Sequence, residues 1–298
     1  MTATPPRDRA SFGQAESLVD GEFVLTADDF KKISQIIHAH AGIALAESKA
    51  ALVYSRLARR LRTLGMESFK EYCALVGGHD GLDERQAMLT ALTTNVTRFF
   101  REPHHFDYLR DKVMPRLAET ARRGGRVRLW SAACSSGQEP YSIALVLLSV
   151  LPEAPNLDVK ILATDIDPRI LEEARKATYS DDAVEPVPVA LRGKWLKRTA
   201  MGVDRPWTVS DEVRELISFR ELNLIGDWPM KGRFDVIFCR NVVIYFDEPT
   251  QEKVWNRFVP LMAPGGTLCI GHSERVTGAA SNRLSSVALT TYVLGSGT

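Results

Sequence analysis

The stretch from Arg126 to Leu148, RVRLWSAACSSGQEPYSIALVLL, constrains this chain more than any other. Val127 to Trp130 is a short apolar, β-prone run, and Pro140 to Val150 is apolar at all but a few positions over a length suited to a buried helix. A strand, a tight turn and a helix follow from that pattern. The turn, Ser131 to Glu139, consists almost wholly of residues with small side chains. Its backbone can therefore pass close to a bound ligand and present N–H groups from the helix N-terminus. Over this stretch alone, an ordinary βα turn of any α/β protein reads the same way.

Before it the pattern is helical. Thr26 is placed to N-cap a helix in which Phe30, Ile33, Ile36 and Ile37 share one face, and Gly42 closes it. A second helix runs from about Ser48 to Leu64, ends at Gly65, and turns Leu57, Leu61 and Leu64 inward. Two more follow, around Ser68 to Val76 and Leu82 to Leu92, and no strand pattern precedes about residue 125. The second helix carries Lys49, Arg56, Arg59, Arg60 and Arg62, with no acidic residue between Glu47 and Glu67. A solvated face is the usual reason for such a run, but the missing i to i+4 acids point to an acidic partner surface.

After the opening stretch, the chain alternates. Val159 to Ala163 is a strand ending at Thr164 and Asp165, and Pro168 to Ala177 is its helix. An irregular insert, Tyr179 to Ser210, precedes strands at Leu216 to Phe219 and Phe234 to Cys239, a helix at Thr250 to Leu261, a strand at Thr267 to Gly271, and two short strands within Leu284 to Leu294. Such alternation predicts a mostly parallel sheet with helices on both faces and a ligand crevice beyond the carboxyl ends of the strands.

Lys plus Arg is 38 against 37 for Asp plus Glu, so bulk charge gives no reason to propose nucleic acid or a membrane as partner. Cys73, Cys134, Cys239 and Cys269 lack CxxC pairing and dense spacing, which fits a reducing cytoplasm. There is no apolar run of about 18 residues and no leader pattern. Residues 1–20 read as a disordered polar tail.

Three strand ends converge: the Ser131 to Glu139 turn, Asp165, and Arg240 with Asn241. An acid 28 residues after Gly137 suits both hydroxyls of a ribose. The turn lacks GxGxxG and places Glu139 where a pyrophosphate demands neutral or positive groups, whereas a carboxylate suits a sulfonium or an ammonium. S-adenosylmethionine carries both and a ribose, so the residues favour methyl transfer over hydride transfer. His104 and His105 are expected to point different ways on a helix, and Cys134 is explained by backbone approach rather than nucleophilicity.

The sequence resembles CheR-type chemotaxis receptor (protein-glutamate O-) methyltransferases in TTNVTRFFREPHHF (93–106), SAACSSGQEPYSIA (131–144), ATDIDPRILEEAR (163–175), FDVIFCRNVVIYF (234–246) and GHSE (271–274). The likeness runs from about residue 24 to 294. It implies an α/β protein with a small all-helical N-terminal domain, then a Rossmann-like S-adenosylmethionine-dependent methyltransferase domain with a mostly parallel sheet and a small antiparallel β-subdomain insert. The corresponding divisions are a receptor-contacting domain at 21–92, a linker and helix at 93–125, and the methyltransferase domain at 126–298 with its insert at about 179–215. The implied activity methylates glutamate side chains on the cytoplasmic helical bundle of chemoreceptors, leaving S-adenosylhomocysteine, with no metal.

Carried onto this sequence, the resemblance implies that Asn95, Thr97 and Arg101 contact the cofactor, with Arg101 also near the reacting centre. Glu139 would hold the methionine end, Asp165 the ribose, Asn223 and Leu224 the adenine side, and Arg240 with Asn241 the rest of the pocket. Tyr245 would sit by the transferred methyl, and Arg56, Arg59, Arg60 and Arg62 would meet the receptor bundle. In some members the insert docks a receptor C-terminal tail peptide through a glycine-containing edge loop, from which TAMGVDRPW (199–207), with Gly202 and Pro206, departs. Two rivals remain in view. A nucleic-acid methyltransferase would share the fold, although Asn241-Val-Val-Ile-Tyr245 stands where an Asp/Asn-Pro-Pro-Tyr loop is usual. A cofactor-sensing, receptor-binding module without turnover is the other.

Overall fold

Residues 16–93, 95–199 and 206–295 are described by the computed structural model, in which the chain divides into two compact units, Met1–Thr93 and Thr94–Thr298. The first unit opens with a short hairpin, β1 (Ser17–Val19) antiparallel to β2 (Leu25–Thr26). Part of the expected polar tail is therefore ordered strand, and a strand does precede residue 125. Runs of two and three residues are too short to display the alternation by which strands are recognised. Residues 1–15 lie outside the described residues.

Helix α1 (Ala27–Ala41) starts where the sequence demands. The Thr26 hydroxyl accepts from Asp29 N at 3.2 Å, and Phe30, Ile33 and Ile37 are buried on one face. Helix α2 (Ala50–Leu64) buries Val53, Leu57 and Leu61, but Leu64 is 39% exposed, contrary to its expected inward face. It is the last residue before the turn at Gly65, beyond the reach of the packed stripe. Helices α3 (Phe69–Gly77) and α4 (Leu82–Leu92) complete the unit, α3 packing on α1 and α4 on α2.

The second unit begins with α5 (Pro103–Tyr108), a π-helical turn over Leu109–Val113, and α6 (Met114–Arg122). The segment 93–125, expected as linker and helix, is thus mostly helix and lies in this unit from Thr94 onward. Next come β3 (Val127–Ala132), α7 (Gln138–Val150), β4 (Val159–Asp165) and α8 (Pro168–Lys176). The insert supplies β5 (Thr178–Tyr179), α9 (Asp181–Val184), α10 (Val189–Trp195), β6 (Leu196–Arg198), β7 (Trp207–Val209) and α11 (Asp211–Arg214). The chain ends with β8 (Ile217–Glu221), β9 (Phe234–Cys239), α12 (Glu248–Phe258), β10 (Met262–Ile270), β11 (Leu284–Ala288) and β12 (Thr291–Leu294).

Seven strands form one sheet in the order β11-β12-β10-β9-β3-β4-β8, and β5-β7-β6 form a separate antiparallel sheet. From β10 to β8 every neighbour is parallel, and β12 runs antiparallel to β10 and β11. Both faces are covered, as parallel strands require. Leu129 joins the core under α7, a helix buried along Gln138–Leu148. The next residue, Trp130, points to the opposite face, where its ring meets those of Trp228, Phe234 and Phe258 at 5.1 to 5.2 Å. Strand order reverses at β3: the chain proceeds from β3 to β4 and β8 on one side, then returns to β9 and β10 on the other. That reversal places the ends of β3, β4 and β9 side by side, with Ala132 in register with both Thr164 and Cys239.

Candidate functional site

Beyond Ala132 the chain turns through Ala133 (φ 63°), Ser135 (φ 50°) and Gly137 (φ 94°) before α7 begins. Gly137 is obligatory twice over: its φ lies in the left-handed region, and a Cβ there would stand 2.9 Å from the Tyr179 hydroxyl. Of the seven described non-glycine residues with positive φ, five fall at this site: Phe100, Glu102, Ala133, Ser135 and Asn241. Each costs on the order of 1 kcal/mol or more, and such strain gathers where ligands are held.

The loop is fastened from the next strand. Asp165, at the end of β4, accepts Ser135 N at 2.8 Å through one oxygen and Asp167 N at 3.1 Å through the other. Burial pushes its carboxyl above the ordinary value, against the pull of those N–H groups. With about four lone-pair sites on a carboxylate, acceptor capacity remains for a hydroxyl. The Ser135 hydroxyl donates to Asn95 O at 3.2 Å, and Phe100 N donates to the Ser142 hydroxyl of α7 at 2.9 Å, so the 95–102 segment is tied to the same loop. Asn95 is exposed and Thr97 half-buried, while the Arg101 guanidinium donates to Val96 O at 2.9 Å. Asn223, beyond β8, accepts Ile225 N at 3.1 Å beside the buried Leu224.

A buried ionic network lies next to this loop. Arg240, which follows β9, reaches Glu139 at 3.0 Å and Glu102 at 3.3 Å, donates to Arg101 O, and has a side chain only 2% exposed. Glu139 also accepts the Ser131 hydroxyl at 2.7 Å. The Glu139 carboxylate, expected from sequence to select a cationic ligand, is already paired with a cation of the chain itself, Arg240, 101 residues away. Burial pushes the Glu139 carboxyl up while Arg240 and Ser131 pull it down. Glu102 is only half-buried, so desolvation raises it less, and Arg240 with the His272 hydrogen bonds hold it at about 2. Glu102 and Glu139 thus set two carboxyl groups against the single guanidinium of Arg240.

His105 is fully buried, and desolvation together with the nearby Arg240 lowers its pKa to about 3, so it is neutral. Contrary to the expectation that the paired histidines diverge, His104 and His105 lie with ring centroids 4.1 Å apart and both face the Thr290 hydroxyl, at 3.4 and 2.9 Å. Both rings turn to one side, toward their shared partner Thr290, despite the helical spacing of their Cα atoms. Glu102, His104 and His105 have ligand-type atoms within 4.8 Å of one another, yet Glu102 is already paired with Arg240.

The loop after Arg240 carries Asn241 (φ 58°), and Val243–Tyr245 form a single 3₁₀ turn. Tyr245 is 37% exposed. Glu274, in the GHSE motif but given no role from sequence, is 4% exposed and accepts Val242 N at 2.9 Å, Val243 N at 3.1 Å and Gly271 N at 2.6 Å. Glu102 is the other residue without an assigned role. It receives the Asn241 amide at 3.4 Å and the His272 backbone N–H at 3.3 Å. Both acids lie inside the quoted motifs, and an acid at a strand end or before a helix was the available signal.

The basic helix is less free than its sequence implies. Arg56 caps α4, donating to the carbonyls of Ala91, Leu92 and Thr93 at 3.3, 2.7 and 3.1 Å. Arg60 makes a two-pronged bond to Glu84 at 3.0 and 2.6 Å, and Glu84 also accepts the Tyr72 hydroxyl. Arg62 pairs with Glu22 at 2.7 Å. The acids missing from the helix come from elsewhere in the chain. Arg59 is exposed, with no side-chain partner among the described residues. Of TAMGVDRPW, the stretch 200–205 with Gly202 lies outside the described residues, so the expectation for tail docking falls there, while Thr199 N donates to Pro206 O at 3.0 Å and Trp207 opens β7.

The donor set fits S-adenosylmethionine. Asp165 keeps acceptor capacity of the kind a ribose hydroxyl would use, the Ser131–Glu139 loop offers no lysine or arginine to a diphosphate, and beside it two carboxyl groups share one guanidinium. No helix among the described residues is long and apolar enough to cross a membrane.

Comparison with known proteins agrees with this geometry. Residues 28–93 match the family model for the CheR methyltransferase all-alpha domain, and residues 95–293 that for the CheR methyltransferase SAM binding domain. A probable chemotaxis protein methyltransferase of Rhizobium etli is 56% identical over 257 residues, which span 86% of this chain and 96% of that protein. Chemotaxis protein methyltransferase 2 of Pseudomonas aeruginosa is 43% identical over 91% of this chain and 94% of its own length. The chemotaxis protein methyltransferase of Escherichia coli is 44% identical over 82% and 83%.

Proposed function

As the chain belongs to the CheR methyltransferase family and is an S-adenosylmethionine-dependent methyltransferase of chemotaxis, we propose that it methylates glutamate side chains on the cytoplasmic helical bundle of chemoreceptors. The observation that carries this reading is the placement of Tyr245. It stands partly exposed on the loop after β9, whose end is in register with the end of β3 that opens into the ligand loop.

When bound, S-adenosylmethionine supplies an electrophilic methyl on a sulfonium: a carboxylate oxygen bonds to it as sulfur keeps the C–S electron pair, leaving S-adenosylhomocysteine and a methyl ester. A glutamate is already ionised near neutral pH, with a free pKa of about 4.3, so no residue of this chain need act as base. That agrees with the site, where His105 is buried and neutral and Glu102 is held as carboxylate by Arg240. The work left to the protein is positioning, which can supply several kcal/mol of the barrier, about 7 or more in well-aligned cases.

In this reading Asp165 takes the ribose, and Asn223 with Leu224 border the adenine. Asn95, Thr97, Arg101, Arg240 and Asn241 complete the cofactor surroundings, and Glu139 acts with Arg240 as one charged unit. Tyr245 and Arg101 orient the incoming carboxylate, by hydroxyl and by guanidinium. The division into a receptor-contacting helical domain and a catalytic domain follows the same reading. Within α2, Arg59 is the residue best placed to meet an acidic bundle, because Arg56 and Arg60 are engaged in holding α4.

The test is transfer of radiolabelled methyl to the cytoplasmic fragment of a chemoreceptor, followed by mild alkali. Label that is released as methanol supports a glutamyl ester. Label that survives alkali, or that appears on RNA and not on receptor, sinks the proposal.

A further inference from the structure

We infer that Glu274 is the positioning residue for Tyr245: it holds the loop that carries the tyrosine by taking the N–H groups no helix can satisfy. The inference rests on the role given to Tyr245 above. A single 3₁₀ turn has no preceding turn to accept its first N–H groups, and the strand β9 has ended one residue before Arg240. Val242 N and Val243 N would be left unpaired next to the core. One Glu274 oxygen accepts both, at 2.9 and 3.1 Å, and the other accepts Gly271 N at 2.6 Å.

The dependence runs both ways. Glu274 is 4% exposed, and no cation among the described residues pairs with it. Its negative charge is answered by backbone dipoles of the loop and of the turn after β10, where Glu274 N itself donates to Gly271 O at 2.9 Å. A buried carboxylate compensated in this way is costly to move, so the loop is fixed to the end of β10. Tyr245 N closes the same turn by donating to Val242 O at 3.2 Å, which leaves the tyrosine one turn from the anchor. There is also no room to relax: a Cβ on Gly271 would lie 2.6 Å from the Asn241 amide, 2.8 Å from Asn241 N and 2.9 Å from the Glu274 carboxylate.

Glu274→Gln keeps the shape but points an NH₂ group at N–H donors, and Glu274→Asp keeps the charge but draws the carboxylate back from the same donors by one methylene. For each we expect methyl transfer to fall about 10- to 100-fold, the range for a small misplacement at a reacting centre. The dissociation constant for S-adenosylmethionine, measured by calorimetry, should change less than about threefold, because the Asp165 and Glu139 contacts are untouched. Adding Glu274→Gln to Tyr245→Phe should cost less than about threefold more, since both act through one hydroxyl.

Full turnover by Glu274→Gln overturns the inference. So does a loss of cofactor affinity in step with turnover, or a full second loss in the Tyr245→Phe background. Should Glu274→Gln not fold, Glu274→Asp alone and with Tyr245→Phe reads the same cycle. Normal turnover by Tyr245→Phe removes the role of Tyr245 and this inference with it. That result is distinct from an inactive Tyr245→Phe beside an active Glu274→Gln, which removes this inference alone.

Discussion

Replacing Arg240 by methionine deletes the guanidinium that sits between the buried Glu139 and the half-buried Glu102, and the structure sets the size of the effect. The guanidinium lies 3.0 Å from the Glu139 carboxylate and 3.3 Å from that of Glu102. At an effective dielectric of about 20, each such contact is worth roughly 5 kcal/mol of attraction before desolvation is counted. Methionine fills much of the arginine's volume, so the dominant loss is the counter-charge. Leaving buried charge uncompensated costs about 3–5 kcal/mol. For a unit of about 200 residues, at roughly 2–4 °C per kcal/mol, that corresponds to a fall of roughly 6–20 °C in melting temperature.

The assay can be confined to the unit concerned, because all five tryptophans, Trp130, Trp195, Trp207, Trp228 and Trp255, lie beyond Thr94. Tryptophan fluorescence therefore reports the melting of that unit. The deficit of Arg240→Met should shrink as pH falls, because burial already raises the Glu139 carboxyl and removing Arg240 takes away a group that lowers it. In the double variant Arg240→Met/Glu139→Gln, one of the two stranded charges is gone, so the combined cost should fall short of the sum by about 1.5 kcal/mol or more. A fall of less than about 3 °C at pH 7.5, or strict additivity in the double variant, would refute the view of Arg240 as the internal cation of Glu139.

Four further outcomes are expected. Tyr245→Phe should lose turnover at least tenfold while its calorimetric affinity for S-adenosylmethionine is retained; unchanged turnover removes the tyrosine from the reaction. Asp165→Asn should weaken cofactor binding by about 10- to 100-fold, the worth of a charged hydrogen bond at about 1.5–3 kcal/mol, and an unchanged dissociation constant excludes it from the ribose site. Arg59→Glu should raise the KM for receptor fragments, most at low salt, and leave cofactor affinity alone, whereas Arg56→Ala should chiefly lower the stability of the helical unit by uncapping α4. Equal effects of both substitutions on KM would refute that division. Glu102 is held at about 2 against an ordinary 4.5, so its contribution to stability is complete above about pH 4.5 and lost as pH falls toward 2. The melting difference between the native protein and Glu102→Gln should accordingly be flat from pH 8 to 5 and narrow below; a difference that grows on acidification refutes the ion pair.

Much of this molecule was legible in one dimension because the physics there is local. Thr26 and Gly42 bound α1, the apolar run after Pro140 makes α7, and the small residues from Ser131 to Gly137 make the ligand loop. Each depends on neighbours within one helical turn or one strand. The order of strands and helices, the ends at which Asp165 and Asn241 emerge, and the family motifs were all readable on that basis. The hairpin at Ser17–Thr26 was not, because two-residue strands have no period.

Tertiary structure alone decided how the charges are answered. Glu139 suggested a cationic ligand, but its partner Arg240 stands 101 positions along the chain. Arg56, Arg60 and Arg62 lacked acids within a helical turn, yet found the α4 carbonyls, Glu84 and Glu22 across the fold. Glu274 became the anchor of the Tyr245 loop because β9 and β10 are parallel neighbours, so that their ends emerge together. Periodicity records which face of an element is buried, since burial repeats with the backbone. It does not record which distant charge meets which, because that depends on strand order and on the few ångströms over which a low-dielectric interior makes opposite charges find each other.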